Sequence, residues 1–265
     1  MLSTSLQIVR QLADTIGNMD MPPGPAVAAK QQITAADDEL LPEISKRQAD
    51  MSDFTARATA EIISLHADSA APEEAANALH RLGCGFEEQR ALIAPLTSRV
   101  GQVRDTVTNN VSGMTQQQAG LQAQLAALAG QRKQMSAQLD DLRKRSTVTT
   151  VLGSFFPVVK AADEIASAVQ YGTTTEGAIS EADRRLAQLG SQSQELNAAT
   201  AACATLTGAL TQLTAALQNL ANAAVLVGGD LTDDAARAAT ATPTTLRLYL
   251  VSLGTAMAVL GDSIR

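Results

Sequence analysis

The chain has 265 residues, a formal net charge of −7, 2% aromatic residues and no tryptophan. Large rings normally fill part of the core of a compact globule, so their scarcity favours closely packed helices of Ala, Leu and Val. The negative charge argues against nucleic acid as a partner, because phosphate contacts need a basic face. The composition therefore predicts an all-α protein built as an elongated bundle of long, coiled-coil-like helices.

The first segment indicates a short amphipathic helix between Leu2 and Asn18. The apolar residues that share its face are Leu2, Leu6, Val9, Ala13 and Ile16. The segment lacks a basic start and an unbroken apolar run, so no cleavable signal peptide is evident. No run in the chain reaches the roughly 18–20 apolar residues of a spanning helix. We therefore expect a soluble protein whose export would use an unconventional or separate system.

A linker rich in Pro and Gly, residues 19–26, precedes the first long helix, which is predicted to run from about Val27 to Asp68. Its every-seventh apolar positions are Ile44, Met51, Ala58 and Leu65. Pro42 is expected to kink this helix, because proline removes a backbone donor and crowds the preceding turn.

The strongest pattern begins after Pro72, which with two following glutamates marks a helix start. The apolar residues that recur at every seventh position are Leu79, Phe86, Ile93, Val100, Val107, Met114, Leu121, Leu128, Met135 and Leu142. This series predicts one long heptad helix, on the order of 95 Å if fully helical. Gly83, Gly85 and Pro95 are the positions where an interruption or bend is expected.

A capping-box pattern, Thr173 with Glu176, predicts the start of a return helix that ends at Gly228 and Gly229. Its heptad positions are Leu189, Leu196, Cys203, Leu210 and Leu217, with Leu206, Leu213 and Leu220 in the partner register. Glu195 is the only charged residue between Leu186 and Gly229. We therefore expect most of this helix to be surrounded by others.

A connector with one or two helical turns is expected after the return helix. Thr242 and Pro243 then form a cap and first-turn proline for the last helix. Its apolar residues follow 4-3 spacing at Leu246, Leu250, Leu253, Met257, Leu260 and Ile264. This pattern predicts a helix that packs back on the bundle.

The sequence contains no motif for catalysis, nucleotide binding or metal binding. Its two histidines are His66 and His80, and its two cysteines are Cys84 and Cys203. His80 and Cys84 have helical spacing, but Gly83 makes a helix doubtful there, so we predict no metal, no cofactor and no enzymatic activity. Both cysteines are expected to be free thiols in the core.

An apolar stretch between the two long helices, residues 147–172, is called the tip here. It is predicted to form a small head at the end of the central helical hairpin. Its apolar residues are Val148, Val151, Leu152, Phe155, Phe156, Val158 and Val159, followed in the amphipathic segment Ala161–Tyr171 by Ile165 and Val169. These residues are the candidates for membrane contact, with Lys160 marking the polar edge.

Two interpretations of the tip remain open. Val148–Val159 could simply turn the hairpin, since Gly153 and Pro157 suit a turn. Alternatively, the tip contacts a membrane or a partner, because the bundle has few aromatics to bury it and its second part suits a bilayer interface. The basic residues 143–145 beside it likewise either pair along a solvated helix with the preceding aspartates or face anionic headgroups.

The heptad helix Leu79–Leu142, the apolar tip and the return helix Leu189–Leu220 together resemble the cytolysin-A-like α-helical pore-forming toxins. These include haemolysin BL-type and other tripartite toxins. The resemblance is architectural and covers most of the chain. It implies tail helices at residues 1–146 and 173–265, and a head at residues 147–172.

The resemblance implies a secreted protein that meets a target-cell membrane through its head and assembles with partner toxin subunits into a lytic pore. The short apolar segment resembles a membrane-priming component better than a subunit that crosses the bilayer. We also expect a soluble homo-oligomer that hides the tips. The alternative is a non-toxin coiled-coil scaffold, or a translocator-like interaction protein of a secretion system, whose tip binds a protein.

Overall fold

The computed structural model describes residues 2–67, 71–153 and 161–264. These residues form α1 (Leu2–Gly17), α2 (Pro25–Ala35), a π-helical turn (Ala36–Leu40), α3 (Leu41–Ala67), α4 (Pro72–Gly153), α5 (Ala161–Ala238) and α6 (Pro243–Ile264). Every element in these ranges is helical, so the all-α prediction is confirmed.

The chain divides into two compact units. Unit 1 comprises Met1–Val111 with Ala201–Arg265, and unit 2 comprises Ser112–Thr200. Unit 1 contains α1, α2, α3, α6 and one part each of α4 and α5, whereas unit 2 consists of the remaining parts of α4 and α5. The predicted division into tail, head and tail concerns function and stays a prediction.

The buried faces predicted for the first and last helices are confirmed. All five predicted apolar residues of α1, from Leu2 to Ile16, are buried. So are all six of α6, from Leu246 to Ile264, and α6 packs against α3. The predicted cap of α6 is also present, since the Thr245 backbone N–H donates to Thr242 Oγ1 at 3.3 Å.

The predicted helix from Val27 to Asp68 is divided in the structure. The π-helical turn Ala36–Leu40 separates α2 from α3, and Pro42 is the second residue of α3. A π turn shifts the backbone pairing by one residue, which is how a helix accommodates a local irregularity. The disturbance expected from Pro42 therefore takes the form of a π turn in the residues just before it.

Helix α4 continues through all three positions where an interruption was expected. Gly83 and Gly85 lie inside the helix, at two positions where neighbouring groups leave no room for a side chain. An ideal Cβ at Gly83 would lie 2.6 Å from Thr232 Oγ1 and 3.0 Å from the Gly228 carbonyl oxygen, and the ring of Phe54 lies against Gly85. These glycines let α3 and α5 approach α4 closely. Helix α4 continues through both positions.

The predicted ends of the return helix are wrong. Helix α5 begins at Ala161, twelve residues before Thr173, and continues past Gly228 and Gly229 to Ala238. The residues predicted to be a connector are therefore its last turns. Gly228 does not cap the helix: an ideal Cβ there would lie 3.2 Å from the Gly83 carbonyl oxygen and 3.3 Å from Phe86 Cβ.

The expectation that α5 is surrounded by other helices is also wrong. Its heptad positions from Leu196 to Leu217 are buried as predicted, but Thr205, Thr211 and Gln212 on its opposite side are exposed. Thr205 Oγ1 donates to the Ala201 carbonyl, and Thr211 Oγ1 to the Thr207 carbonyl, both at 2.9 Å. The lack of charge between Leu186 and Gly229 reflects uncharged residues, such as threonine and glutamine, on the exposed side of the helix.

Candidate membrane-contact site

The predicted membrane-contact residues fall at and beside the junction of α4 and α5. Val148, Val151 and Leu152 lie in the last turns of α4, and Ile165 and Val169 lie in the first turns of α5, with only their helical backbone described. Phe155, Phe156, Val158 and Val159 lie outside the described residues, as does Lys160. Their contact with a membrane stays a prediction.

Unit 2 is an antiparallel pair of helices that carries this junction. The Gln118 side-chain amide donates to Asn197 Oδ1 across the pair, and Arg132 Nε donates to Asp183 Oδ1 at 2.8 Å. The residue numbers of the two pairs have the same sum, so α4 and α5 run antiparallel in one constant register between them.

The core of unit 2 is thinner than that of unit 1. The heptad positions of α4 in unit 1, from Leu79 to Val107, are buried. In unit 2 Met114 is still buried, whereas Leu121, Leu128 and Met135 are half-buried. The sequence pattern is the same in both regions. Among the described residues of unit 2, α4 and α5 are the two helices that share the core, so these three side chains are covered from one direction.

An ion-pair cluster lies on the surface of α5 in unit 2. Arg184 donates two hydrogen bonds to Glu181, at 2.7 and 2.8 Å, and Arg185 Nε donates one at 2.8 Å. These bonds lower the pKa of Glu181 from 4.5 to about 2. The carboxylate therefore stays ionised in mildly acidic solution, and the cluster loses its pairing only as the pH falls through about 2.

Near the tip, the basic residues 143–145 lie in α4. Lys144, Asp140 and Asp141 are exposed, and the side chains of Arg143 and Arg145 lie outside the described ones. Both interpretations of these charges, a solvated helix surface and contact with anionic headgroups, remain hypotheses.

Helix α6 corrects the expectation that no segment suits a membrane span. Its residues Pro243–Gly261 are long and apolar enough to cross a bilayer, judged by length and composition within the described residues. The expectation was based on unbroken runs of apolar residues. It failed because polar residues such as Thr255 interrupt the apolar run of α6 without adding charge. The buried face of α6 packs against α3, as core helices of similar composition do in soluble proteins.

The described residues include no group of three or more His, Cys, Asp or Glu side chains arranged to hold a metal. Cys84 Sγ lies 3.8 Å from His80 Nε2, one helical turn away. Cys203 is buried as predicted, but the prediction for Cys84 is wrong, because Cys84 is exposed on α4. Gly83, beside it, is the residue that faces α5.

The two thiols are expected to react very differently. Burial raises the pKa of the Cys203 thiol from 9.0 to about 11, and only the thiolate reacts rapidly with disulfide reagents. A thiol-reactive chromophore at neutral pH should therefore label one cysteine per native chain and two after unfolding. The Cys84→Ser variant should show no rapid native labelling, and rapid labelling of its Cys203 would contradict the buried position.

Sequence reasoning missed two surface features of unit 1. One is a groove of about 630 Å³ between α1, α5 and α6, with Ile8, Ala215, Leu220 and Leu260 in its walls. The other is an exposed apolar face of α6 that includes Leu248 and Val259. The uncharged stretch of α6 could have indicated the second feature, whereas the groove depends on how three helices meet.

The arrangement of the long paired helices is similar to that in solved structures of components of α-pore-forming toxins. Soluble AhlC, from the tripartite α-pore-forming toxin AHL of Aeromonas hydrophila, matches with 20% identity and a TM-score of 0.79, covering 99% of this chain and 96% of AhlC. Its triple head mutant matches with 20% identity and a TM-score of 0.83, over 99% of this chain and 97% of that one.

The SmhB pore of the tripartite toxin Smh from Serratia marcescens matches with 12% identity and a TM-score of 0.71, covering 98% of this chain and 97% of SmhB. No model of a protein family matches the chain, and no curated sequence matches it. At these identities the likeness establishes the fold. The fold implied by the sequence resemblance is thereby confirmed.

Proposed function

We propose that this chain is a component of an α-helical pore-forming toxin, which binds membranes through its tip and assembles with partner subunits into a lytic pore. The observation that carries the proposal is the match to soluble AhlC over nearly the whole length of both chains. The apolar tip supports it further, because its sequence holds two of the four phenylalanines of the protein. No catalytic step is part of this function.

The tip is proposed to contact lipid through Val148, Val151, Leu152, Phe155, Phe156, Val158, Val159, Ile165 and Val169. Its apolar run is too short for two spans, since a single spanning helix needs about 20 residues. We infer a membrane-priming role that requires other subunits for lysis. The protein would be secreted and would act at the membrane of a target cell.

The test is co-sedimentation with liposomes, with dye release measured in parallel. Replacing both Phe155 and Phe156 by Glu should weaken liposome binding by about 100-fold or more, because burying each ring contributes roughly 1.5–3 kcal/mol. Wild type should bind without releasing dye. Release by the wild-type chain alone would instead indicate a self-sufficient pore former.

A matched control variant separates the effect of changing the tip from the effect of adding negative charge to the surface. Ile63 and Leu92 are exposed apolar residues of unit 1, and replacing both by Glu adds the same charge without touching the tip. This control should bind liposomes like wild type. An equal loss of liposome binding in the control variant, or failure of the wild type to bind liposomes, would favour the coiled-coil scaffold.

The same tip variant addresses the proposed soluble homo-oligomer. Large apolar side chains on a soluble chain drive either self-association or membrane attachment, so the two should compete. Light scattering should find an oligomer for the wild type and a smaller species for the variant. A strictly monomeric wild type at high concentration would contradict this part of the proposal.

A further inference from the structure

His80 and Cys84 place an imidazole beside a thiol on the solvent side of α4. Cys84 Sγ lies 3.8 Å from His80 Nε2, and both residues are exposed. The sequence argument against a metal at this pair was the doubt that Gly83 cast on the helix. Helix α4 continues through Gly83, so the two side chains are neighbours one turn apart.

The distance between the two atoms suits a tetrahedral metal ion. Zinc binds thiolate sulfur at about 2.3 Å and imidazole nitrogen at about 2.0–2.1 Å. A tetrahedral angle at the metal then separates these two ligand atoms by about 3.6 Å. At the observed 3.8 Å the same bond lengths give an angle of about 120°. A shift of a few tenths of an ångström in either side chain therefore completes the chelate.

Packing on the inner side of α4 fixes the backbone that carries the pair. Leu79 and Phe86 are fully buried. Between them, an ideal Cβ at Gly83 would lie 2.6 Å from Thr232 Oγ1 of α5. The two ligands are thus presented at a fixed spacing, and a pre-organised pair loses less conformational freedom when it binds.

The charges around the pair are compatible with a cation. Two neighbouring ion pairs are each neutral overall: Arg81 with Glu61 at 3.0 Å, and Arg90 with Glu87 at 3.1 Å. Glu88 is exposed one turn beyond the thiol and adds a negative charge. A divalent cation therefore meets no excess of positive charge at this surface.

We propose that His80 and Cys84 chelate a zinc ion through Nε2 and Sγ, with water in the two remaining positions. The thiol proton passes to solvent as the metal–sulfur bond forms. Imidazole and thiolate are both ligand types that zinc prefers. The described residues include no group of three or more such ligands, so the site is a two-residue chelate that is open to solvent and exchanges its metal readily.

Protection of the thiol by zinc tests the site on the native, full-length chain. Cys84 is the cysteine expected to react rapidly with a thiol reagent, because Cys203 is buried. Zinc added to metal-free buffer should slow the labelling of Cys84 at least tenfold, because a metal-bound sulfur no longer attacks the reagent. Magnesium should have no effect, since it prefers oxygen ligands. Unchanged labelling in zinc would overturn the proposal.

Two histidine variants show whether the pair or the thiol alone holds the metal. His80→Ala retains the thiol, and the zinc concentration that gives half protection should rise at least tenfold. His66→Ala removes the other exposed histidine, at the end of α3, and should leave that concentration unchanged. If His80→Ala is protected like the wild type, or if both variants lose protection equally, the chelate is wrong.

Equilibrium dialysis against zinc measures the binding directly. The wild-type chain should retain one zinc ion more than Cys84→Ser and one more than His80→Ala. Circular dichroism should be the same for all three chains, because both substituted side chains are exposed. Equal zinc content in the three chains would overturn the proposal, even if zinc slows the labelling.

Discussion

Gly83→Val should lower the free energy of unfolding by about 3 kcal/mol, the upper end of what overpacking a core usually costs. An ideal Cβ at this position already lies 2.6 Å from Thr232 Oγ1 and 3.0 Å from the Gly228 carbonyl oxygen. Thr232 cannot simply rotate away, because its hydroxyl donates to that same carbonyl at 2.9 Å. A valine would therefore push α4 and α5 apart.

The measurement is urea unfolding followed by circular dichroism. Gly101→Ala is the matched control on the same helix, since no group lies within 4 Å of its ideal Cβ. It should raise the unfolding free energy by up to about 1 kcal/mol, because alanine favours a helix over glycine. An unchanged unfolding midpoint for Gly83→Val would show that the two helices do not approach closely at this glycine.

Phe86→Ala is expected to cost about 3–5 kcal/mol of unfolding free energy, the usual range for deleting a buried ring. Phe86 is fully buried, and its ring centroid lies 4.8 Å from that of Phe54 in an edge-to-face arrangement. Its Cβ also lies against Gly228 of α5. Removing the ring would leave a cavity where α3, α4 and α5 meet.

Leu92→Ala serves as the control, because Leu92 is on the same helix but 42% exposed. Its loss should change the unfolding free energy by less than about 1 kcal/mol. The comparison uses thermal and urea unfolding of both variants. A similar small effect for Phe86→Ala would mean that this aromatic pair does not anchor the core of unit 1.

Much of the fold could be predicted because heptad spacing is a repeated signal. Each buried residue of α1 and α6 was predicted from apolar periodicity alone, and so was the buried series of α4 from Leu79 to Met114. Helix ends were harder to predict. Thr173 with Glu176 and the pair Gly228 and Gly229 are local signals typical of helix ends, yet both lie inside α5.

The candidate functional site was also predicted from the sequence only in part. The tip was found from its clustered apolar residues, and its residues remain a prediction about lipid contact. The groove beside α1 and the exposed apolar face of α6 were not found, because periodicity identifies the face that is buried. It does not say whether another helix covers the opposite face.

The sequence by itself determined the helical class and the buried stripes of α1 and α6, because these depend on residue type and spacing along one helix, and the apolar tip stays a prediction from the sequence. Only the tertiary structure decided that Gly83 and Gly228 are contact points and that Leu121 and Leu128 are half-buried. The physical reason is that burial depends on how many helices surround a position. Neighbouring helices come from distant parts of the chain, which a local pattern does not specify.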